Sequence, residues 1–297
     1  MLKFMKANWF NVSLVAAVAI LVASSSFAAE AAKKSTGQLV AEASTVSSDA
    51  VPAATTATIA SETDQNYILG IDLRPTYYVK PENMGSENTI AAGIQFKKDL
   101  SLVYEQYIDT VVTGTESLGV DPKLRDGAAR LLVNNIWTSG KLGLAFSYEN
   151  RSFLPLNVDK RDAGRIIENR NYLKLKKDLG SNFALTVMEA PIFFAYSKDA
   201  PENSAFENRF YIVPEASLMD GKLAIGLPIW LVTTVRRDGN SIHKLLAWPE
   251  VTYTVTPGID LGAAFYTENL MNPNFAGLDI SNGLDNGAAQ FVLRASL

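Results

Sequence analysis

From Tyr67 onward the chain is written in period two. The stretch "KLAIGLPIWLVTTV" sets Leu223, Ile225, Leu227, Ile229 and Leu231 on one side and Lys222, Ala224, Gly226, Pro228 and Trp230 on the other. "ENRFYIVPEASL" opposes Phe210, Ile212, Pro214, Ala216 and Leu218 to Glu207, Arg209, Tyr211, Glu215 and Ser217. "KLGLAFSYENRSFL" opposes Leu142, Leu144, Phe146 and Tyr148 to Lys141, Gly143, Ala145, Ser147, Glu149 and Arg151. Successive side chains of a strand point to opposite faces, so each stretch is a strand with one apolar and one polar face. No segment after Tyr67 reads as a long apolar helix, and the class is all-β.

The pattern predicts twelve strands: 67–79, 88–97, 100–110, 128–137, 141–154, 168–177, 183–197, 207–218, 222–235, 242–255, 259–270 and 287–297. Short turns are expected at Lys97–Asp99, Thr138–Gly140, Asp178–Asn182, Met219–Gly221 and Thr256–Gly258. Longer polar links are expected at Lys80–Glu87, Val111–Gly127, Pro155–Ile167, Lys198–Phe206, Arg236–Ser241 and Met271–Asn286. Short and long connections therefore alternate. Pro75, Pro191, Pro214, Pro228 and Pro249 fall inside strands, where each removes a ladder donor and marks a bulge or a misplaced boundary. A ten- or fourteen-stranded count stays open on that account. The closing "AAQFVLRASL" runs as a strand, with Ala289, Phe291, Leu293, Ala295 and Leu297 on one face, Ala288, Gln290, Arg294 and Ser296 on the other, and Val292 as the exception.

The front of the chain is different. Lys3 and Lys6 precede an apolar run, Val12–Ala23, and Ser26 and Ala28 supply a small-residue cleavage site. Residues 1–28 read as a cleaved signal peptide, the apolar run being too short for a comfortable membrane helix. The alternative is an uncleaved anchor. Residues 29–66, rich in Ala, Ser and Thr, read as a flexible periplasmic lead that buries too little to offset its ordering entropy. Residues 67–297 form the one folded unit. The 297 residues contain no cysteine, which excludes a disulfide framework, a thiolate metal site and a catalytic thiol. A net charge of −4 gives no reason to expect nucleic acid as a partner.

A signal peptide, an even strand count, and short and long connections in alternation are the marks of transmembrane β-barrels. On these features the chain resembles bacterial outer-membrane β-barrel proteins, and by strand count the small twelve-stranded porins, which include acidic-oligosaccharide and nucleoside channels. "QFVLRASL" resembles that family's C-terminal assembly signal, with Leu297 standing where a terminal aromatic is usual. The resemblance implies a transmembrane antiparallel up-and-down barrel in outer-membrane lipid. It also implies that strand 288–297 engages the barrel-assembly machinery, and that small hydrophilic solutes or ions diffuse through the lumen. Monomer and homo-oligomer both stay open. A soluble sandwich or lipocalin-like barrel would also alternate. Against it stand the many charges on the polar faces and the aromatic residues near strand ends (Tyr67, Tyr77, Tyr78, Trp137, Tyr148, Tyr196).

With the apolar faces toward lipid, the alternate positions line the lumen. They gather Asp72, Arg74, Glu105, Asp109, Arg130, Glu149, Arg151, Arg170, Lys174, Arg209, Glu215, Trp230, Lys244, Glu250, Glu268 and Arg294. Glu168, Lys176 and Glu207 fall on the same side. Strands from Arg130 to Lys176 lean basic; those from Tyr67 to Thr110 and from Ile242 to Leu270 lean acidic. Such walls create a transverse field across a water-filled pore. The alternative is a salt-bridged plug in a structural or adhesive surface barrel, since a twelve-stranded barrel lies between filled and open. Trp230, Trp248 and Tyr211 either stack on a solute or fill space.

Enzymatic readings are weak. His243, the only histidine, shares a strand face with Ser241, but no orienting acid can be assigned to the pair. Glu105 and Asp109 read as lumen lining rather than acid/base catalysts. The Asn/Asp/Gly-rich Asp238–Asn240 and Asn272–Gly287 lack ordered calcium-loop spacing and read as turns. No cofactor, P-loop, dinucleotide or zinc signature is present.

Overall fold

The predicted alternation becomes geometry in β1 (Tyr67–Tyr78), where Tyr67, Leu69, Ile71, Leu73 and Tyr77 are exposed while Ile68, Asp72, Arg74 and Thr76 are buried. The structure is a computed structural model that describes residues 66–79, 83–113, 119–180, 182–198, 200–271 and 277–296. The expected signal peptide, nearly all of the expected lead and Leu297 lie outside the described residues.

After β1 come β2 (Asn83–Lys97), β3 (Leu100–Thr113), β4 (Gly119–Ser139), β5 (Leu144–Leu154), β6 (Arg165–Gly180), β7 (Phe183–Tyr196) and β8 (Ser204–Leu218). The chain continues through β9 (Leu223–Gly226), β10 (Ile229–Arg236), β11 (Ser241–Ala247), β12 (Glu250–Thr256), β13 (Ile259–Tyr266) and β14 (Ala288–Ser296). Two short helices, α1 (Val158–Asp162) and α2 (Ile280–Asp285), sit in connections. Every pairing between strands is antiparallel, and β14 pairs with β1 from Gly70↔Ser296 to Tyr78↔Ala288. That last pairing closes the sheet and leaves no edge to be satisfied in lipid.

The fourteen segments make twelve strands, because two of them are each cut by a proline. β9 and β10 are halves of one strand broken at Pro228, and both pair with β8. β11 and β12 are halves of the next, broken at Pro249. Proline has no N–H to give the ladder, but the carbonyls of Pro214, Pro228 and Pro249 still accept, from the N–H of Leu227 (3.0 Å), Trp248 (2.8 Å) and Phe265 (3.0 Å). The line of prolines is a seam across three adjacent strands.

Two connections expected to be long are shortened by ladder, β1–β2 and β3–β4, while β10–β11 turns at 237–240, close to its expected bounds. β1–β2, β3–β4 and β10–β11 pair almost to their tips, with Tyr78↔Asn83, Thr113↔Gly119 and Val235↔Ser241. Residues 83–87 and 119–127, expected in links, belong to the ladders of β2 and β4. The links at 155–164, 197–203 and 267–287 are the long ones, on the same end of the barrel.

The outward face carries the apolar belt. Ile90, Ile94, Leu102, Leu131, Leu173, Val251, Leu261 and Phe291 are all exposed, as lipid-facing residues must be. Tyr67, Tyr77 and Trp137 stand exposed near strand ends. Tyr78 does not join them: it falls in the inward phase, packs against the interior aromatics and donates to Glu87 at 3.2 Å.

Candidate functional site

The inward face is polar to the barrel's centre, and its charges are organised by a repeated triplet. Glu149-Asn150-Arg151, Glu168-Asn169-Arg170 and Glu207-Asn208-Arg209 recur on β5, β6 and β8, and Asp72-Leu73-Arg74 is the same device on β1. Residues two apart on a strand share a face, so each triplet sends its acid and its arginine inward together. The arginine Nε donates to its own acid in all four: Arg151 to Glu149, Arg170 to Glu168 at 2.5 Å, Arg209 to Glu207 at 2.6 Å and Arg74 to Asp72 at 3.1 Å.

Register then multiplies these pairs. Arg130 lies opposite Arg151, and Arg151 opposite Arg170. Like charges directly across a ladder repel, and the carboxylates offset that by bridging. Glu149 accepts from Arg130 Nε at 2.7 Å and also from Arg151 and Lys174. Glu105 accepts from Arg130 Nη1 at 2.8 Å and from the Tyr107 hydroxyl at 2.5 Å. Arg170 stacks over Phe153 at 4.3 Å, and Arg151 over Tyr172 at 5.3 Å.

A second charged group spans the closure. Arg74 bonds Asp72 and Glu250, both at 3.1 Å, and Gln290 at 3.3 Å. Arg294 reaches Glu250 at 2.5 Å and Asp72 at 3.4 Å. Gln290 in turn donates to Glu87 at 3.0 Å. Between the two groups runs an aromatic arc of Tyr172, Tyr211, Trp230, Trp248 and Tyr266, with neighbouring ring centroids 5.1–6.5 Å apart. Arg74 lies 5.6 Å from the Trp248 ring and joins arc to charge. Arg151, Arg170, Tyr211 and Trp248 are 0 % exposed, so this level of the interior is densely filled. The Trp248 Nε1 donor is buried there with no hydrogen-bond acceptor.

The other residues singled out in the sequence lie away from this layer. Asp109 is half-buried and pairs with Arg125 at 3.2 Å. Glu215 meets Lys176 at 3.5 Å on the short-turn side. Lys244 is exposed near the long-loop end of β11. Glu268 lies two residues past the end of β13, its backbone N–H bonded to the carbonyl of Gly283 at 3.0 Å. His243 is on the outward face, its Nδ1 3.0 Å from the Thr233 hydroxyl, while Ser241 is exposed. Among the described residues no three acidic or histidine side chains converge as a metal-binding group. Glu168 and Glu207 complete the layer, and the threefold "ENR" was the signal that marks them.

No protein-family model matches the chain. No curated protein matches it in sequence. Solved structures match in fold. The NanC porin aligns at 11% identity with a TM-score of 0.52, over 76% of this chain and 98% of that one. An outer-membrane channel from Pseudomonas putida F1 aligns at 8% identity with a TM-score of 0.51, over 78% and 96%. A closed twelve-stranded antiparallel barrel with an apolar outer belt, the chain has a porin-like fold.

Proposed function

We propose that the protein is a narrow outer-membrane channel for small hydrophilic solutes or ions, with the layer of paired charges as its constriction. The observation that carries this reading is the make-up of that layer. A plug serving stability alone is better built from apolar side chains, because burying ion pairs costs desolvation that their attraction barely offsets. Here Glu105, Glu149, Glu168 and Glu207 and their arginines hold the centre, with Lys174 added to Glu149. Ion pairs that share partners can exchange them with a passing charged or hydroxylated solute, and the unmatched Trp248 donor offers one more hydrogen bond. The NanC porin and the Pseudomonas channel support the fold on which this reading rests. Outer-membrane lipid is the surrounding medium, and β14 is the segment proposed to engage the assembly machinery.

A second reading is favoured by the near-complete burial of Arg151, Arg170, Glu105 and Glu149. In it the layer is a permanent plug and the long loops are the working surface. Single-channel current from refolded protein in a planar bilayer, with salt asymmetric across the membrane, separates the two. Steady conductance steps with a nonzero reversal potential are expected. A silent bilayer with inserted protein, unchanged by Arg151→Ala, would establish the plug.

A further inference from the structure

The outward face is not uniformly apolar. On β5 to β11 it carries a row of polar side chains along the hydrogen-bonding direction, interrupted on β7 by Pro191: Asn150 opposite Asn171, Pro191 opposite Asn208, Asn208 opposite Thr233 and Thr233 opposite His243. Ser152, Asn169 and Glu189 flank it. All these side chains are half-buried rather than covered. At about 4.8 Å between strands, six strand positions make a row roughly 24 Å wide. Its β5–β6 end lies level with the central ion pairs, since Arg130, Arg151 and Arg170 are in register there.

The inward ion pairs do not require this polarity. On β1 the same acid–x–arginine device has Leu73 as its middle residue, facing lipid, whereas β5, β6 and β8 have Asn150, Asn169 and Asn208. The other side of the barrel stays apolar, with Ile71, Leu73, Ile90, Leu102, Leu261 and Phe291 exposed. Polar groups facing hydrocarbon are unfavourable and mark a surface that meets something other than lipid.

We infer that the polar row on β5–β11 is an interface with a second copy of this chain. The chemistry of the row selects that occupant. A carboxamide carries donors and an acceptor, so a strip of asparagines is complementary to itself, as a two-fold contact requires. Asn150, Asn169 and Asn171 already act both ways, with Asn150 Nδ2 donating to Asn171 at 3.0 Å and Asn169 Nδ2 donating to Ser152 at 2.9 Å. Glu189 accepts from Asn208 Nδ2 at 3.1 Å, and as a carboxylate it has acceptor positions for an amide of the opposing copy. The inference is independent of whether the lumen conducts.

The cysteine-free chain makes the test direct. Ser152→Cys, Asn171→Cys and Leu73→Cys are made singly, placed in lipid vesicles at low protein density and treated with a bifunctional thiol reagent. Covalent dimer is expected from Ser152→Cys or Asn171→Cys, at least tenfold above Leu73→Cys. Adding Asn150→Leu and Asn169→Leu to the better reporter is expected to cut the dimer at least tenfold while the barrel still folds by circular dichroism. Equal linking from both faces, or no linking above Leu73→Cys, would overturn the inference. Should the leucine variants fail to fold, the comparison of single-cysteine proteins decides alone.

Discussion

Arg74 on β1 donates to Glu250 on β12 at 3.1 Å, tying the first strand of the chain to one that lies beyond β14 and β13 around the barrel. The bond braces the closure from inside. It is one of four that Arg74 and Arg294 make to the acids Asp72 and Glu250.

Removing one partner from such a group leaves a buried charge uncompensated. Arg74→Ala is expected to lower the unfolding free energy by about 3–5 kcal/mol. Replacing both members, Arg74→Met with Glu250→Leu, should recover most of that. Urea unfolding followed by tryptophan fluorescence compares them, and a double variant no more stable than the single one would count against the network as drawn.

Charge placement sets selectivity if the lumen conducts. Arg151→Ala removes a cation from the basic side and should move the reversal potential toward cation preference, whereas Glu105→Ala should move it the other way. Both are read in the same bilayer experiment. Shifts of the same sign from the two variants would separate the layer from the conducting path.

The belt makes a simpler prediction. Ile71 is exposed on the outward face of β1, and Ile71→Arg should cost about 2–4 kcal/mol if that position lies near the bilayer midplane. Ile71→Leu should be close to neutral. Equal stability of the arginine variant in lipid would place β1 against protein or water.

Gly262 on β13 is held by a close approach. A Cβ there would sit 2.3 Å from the Val251 carbonyl oxygen and 2.7 Å from Thr252 Cγ2. Since the first contact is backbone, Gly262→Val should destabilise by at least about 1–3 kcal/mol, the usual range for overpacking. Gly180, with nothing near its Cβ position, is no control because its φ of +88° already favours glycine. Gly140, in open space, is the control.

Strand positions were readable because lipid and interior impose opposite chemistry on alternate residues. All twelve expected strands are present, with two of them split at Pro228 and Pro249. Apolar alternation is lost in Asn83–Glu87 and Gly119–Gly127, which is why they look like loop in the sequence and are ladder. Its position at a strand end suggests a girdle aromatic for Tyr78, yet its phase turns it inward to Glu87. Asp72, Arg74, Glu105, Arg130, Glu149, Arg151, Arg170 and Arg209 are all buried in the structure. Their partners are not legible in the sequence. Which acid meets which arginine depends on register between strands, and alternation within one strand is silent about its neighbour. The outward asparagines carry no signal in the alternation, because a polar residue between two inward charges breaks the apolar phase of its own strand.

The pairing of β14 with β1 has a consequence in time. Gly70 meets Ser296 only when the chain between them, more than 200 residues, has been laid out in order. Contacts this distant in sequence are slow to form. Until then the sheet has two open edges, each a row of unpaired N–H and C=O groups that would join any strand offered. The protection of both edges thus hangs on a single pairing, and a sheet that lacks it is the form open to strand addition.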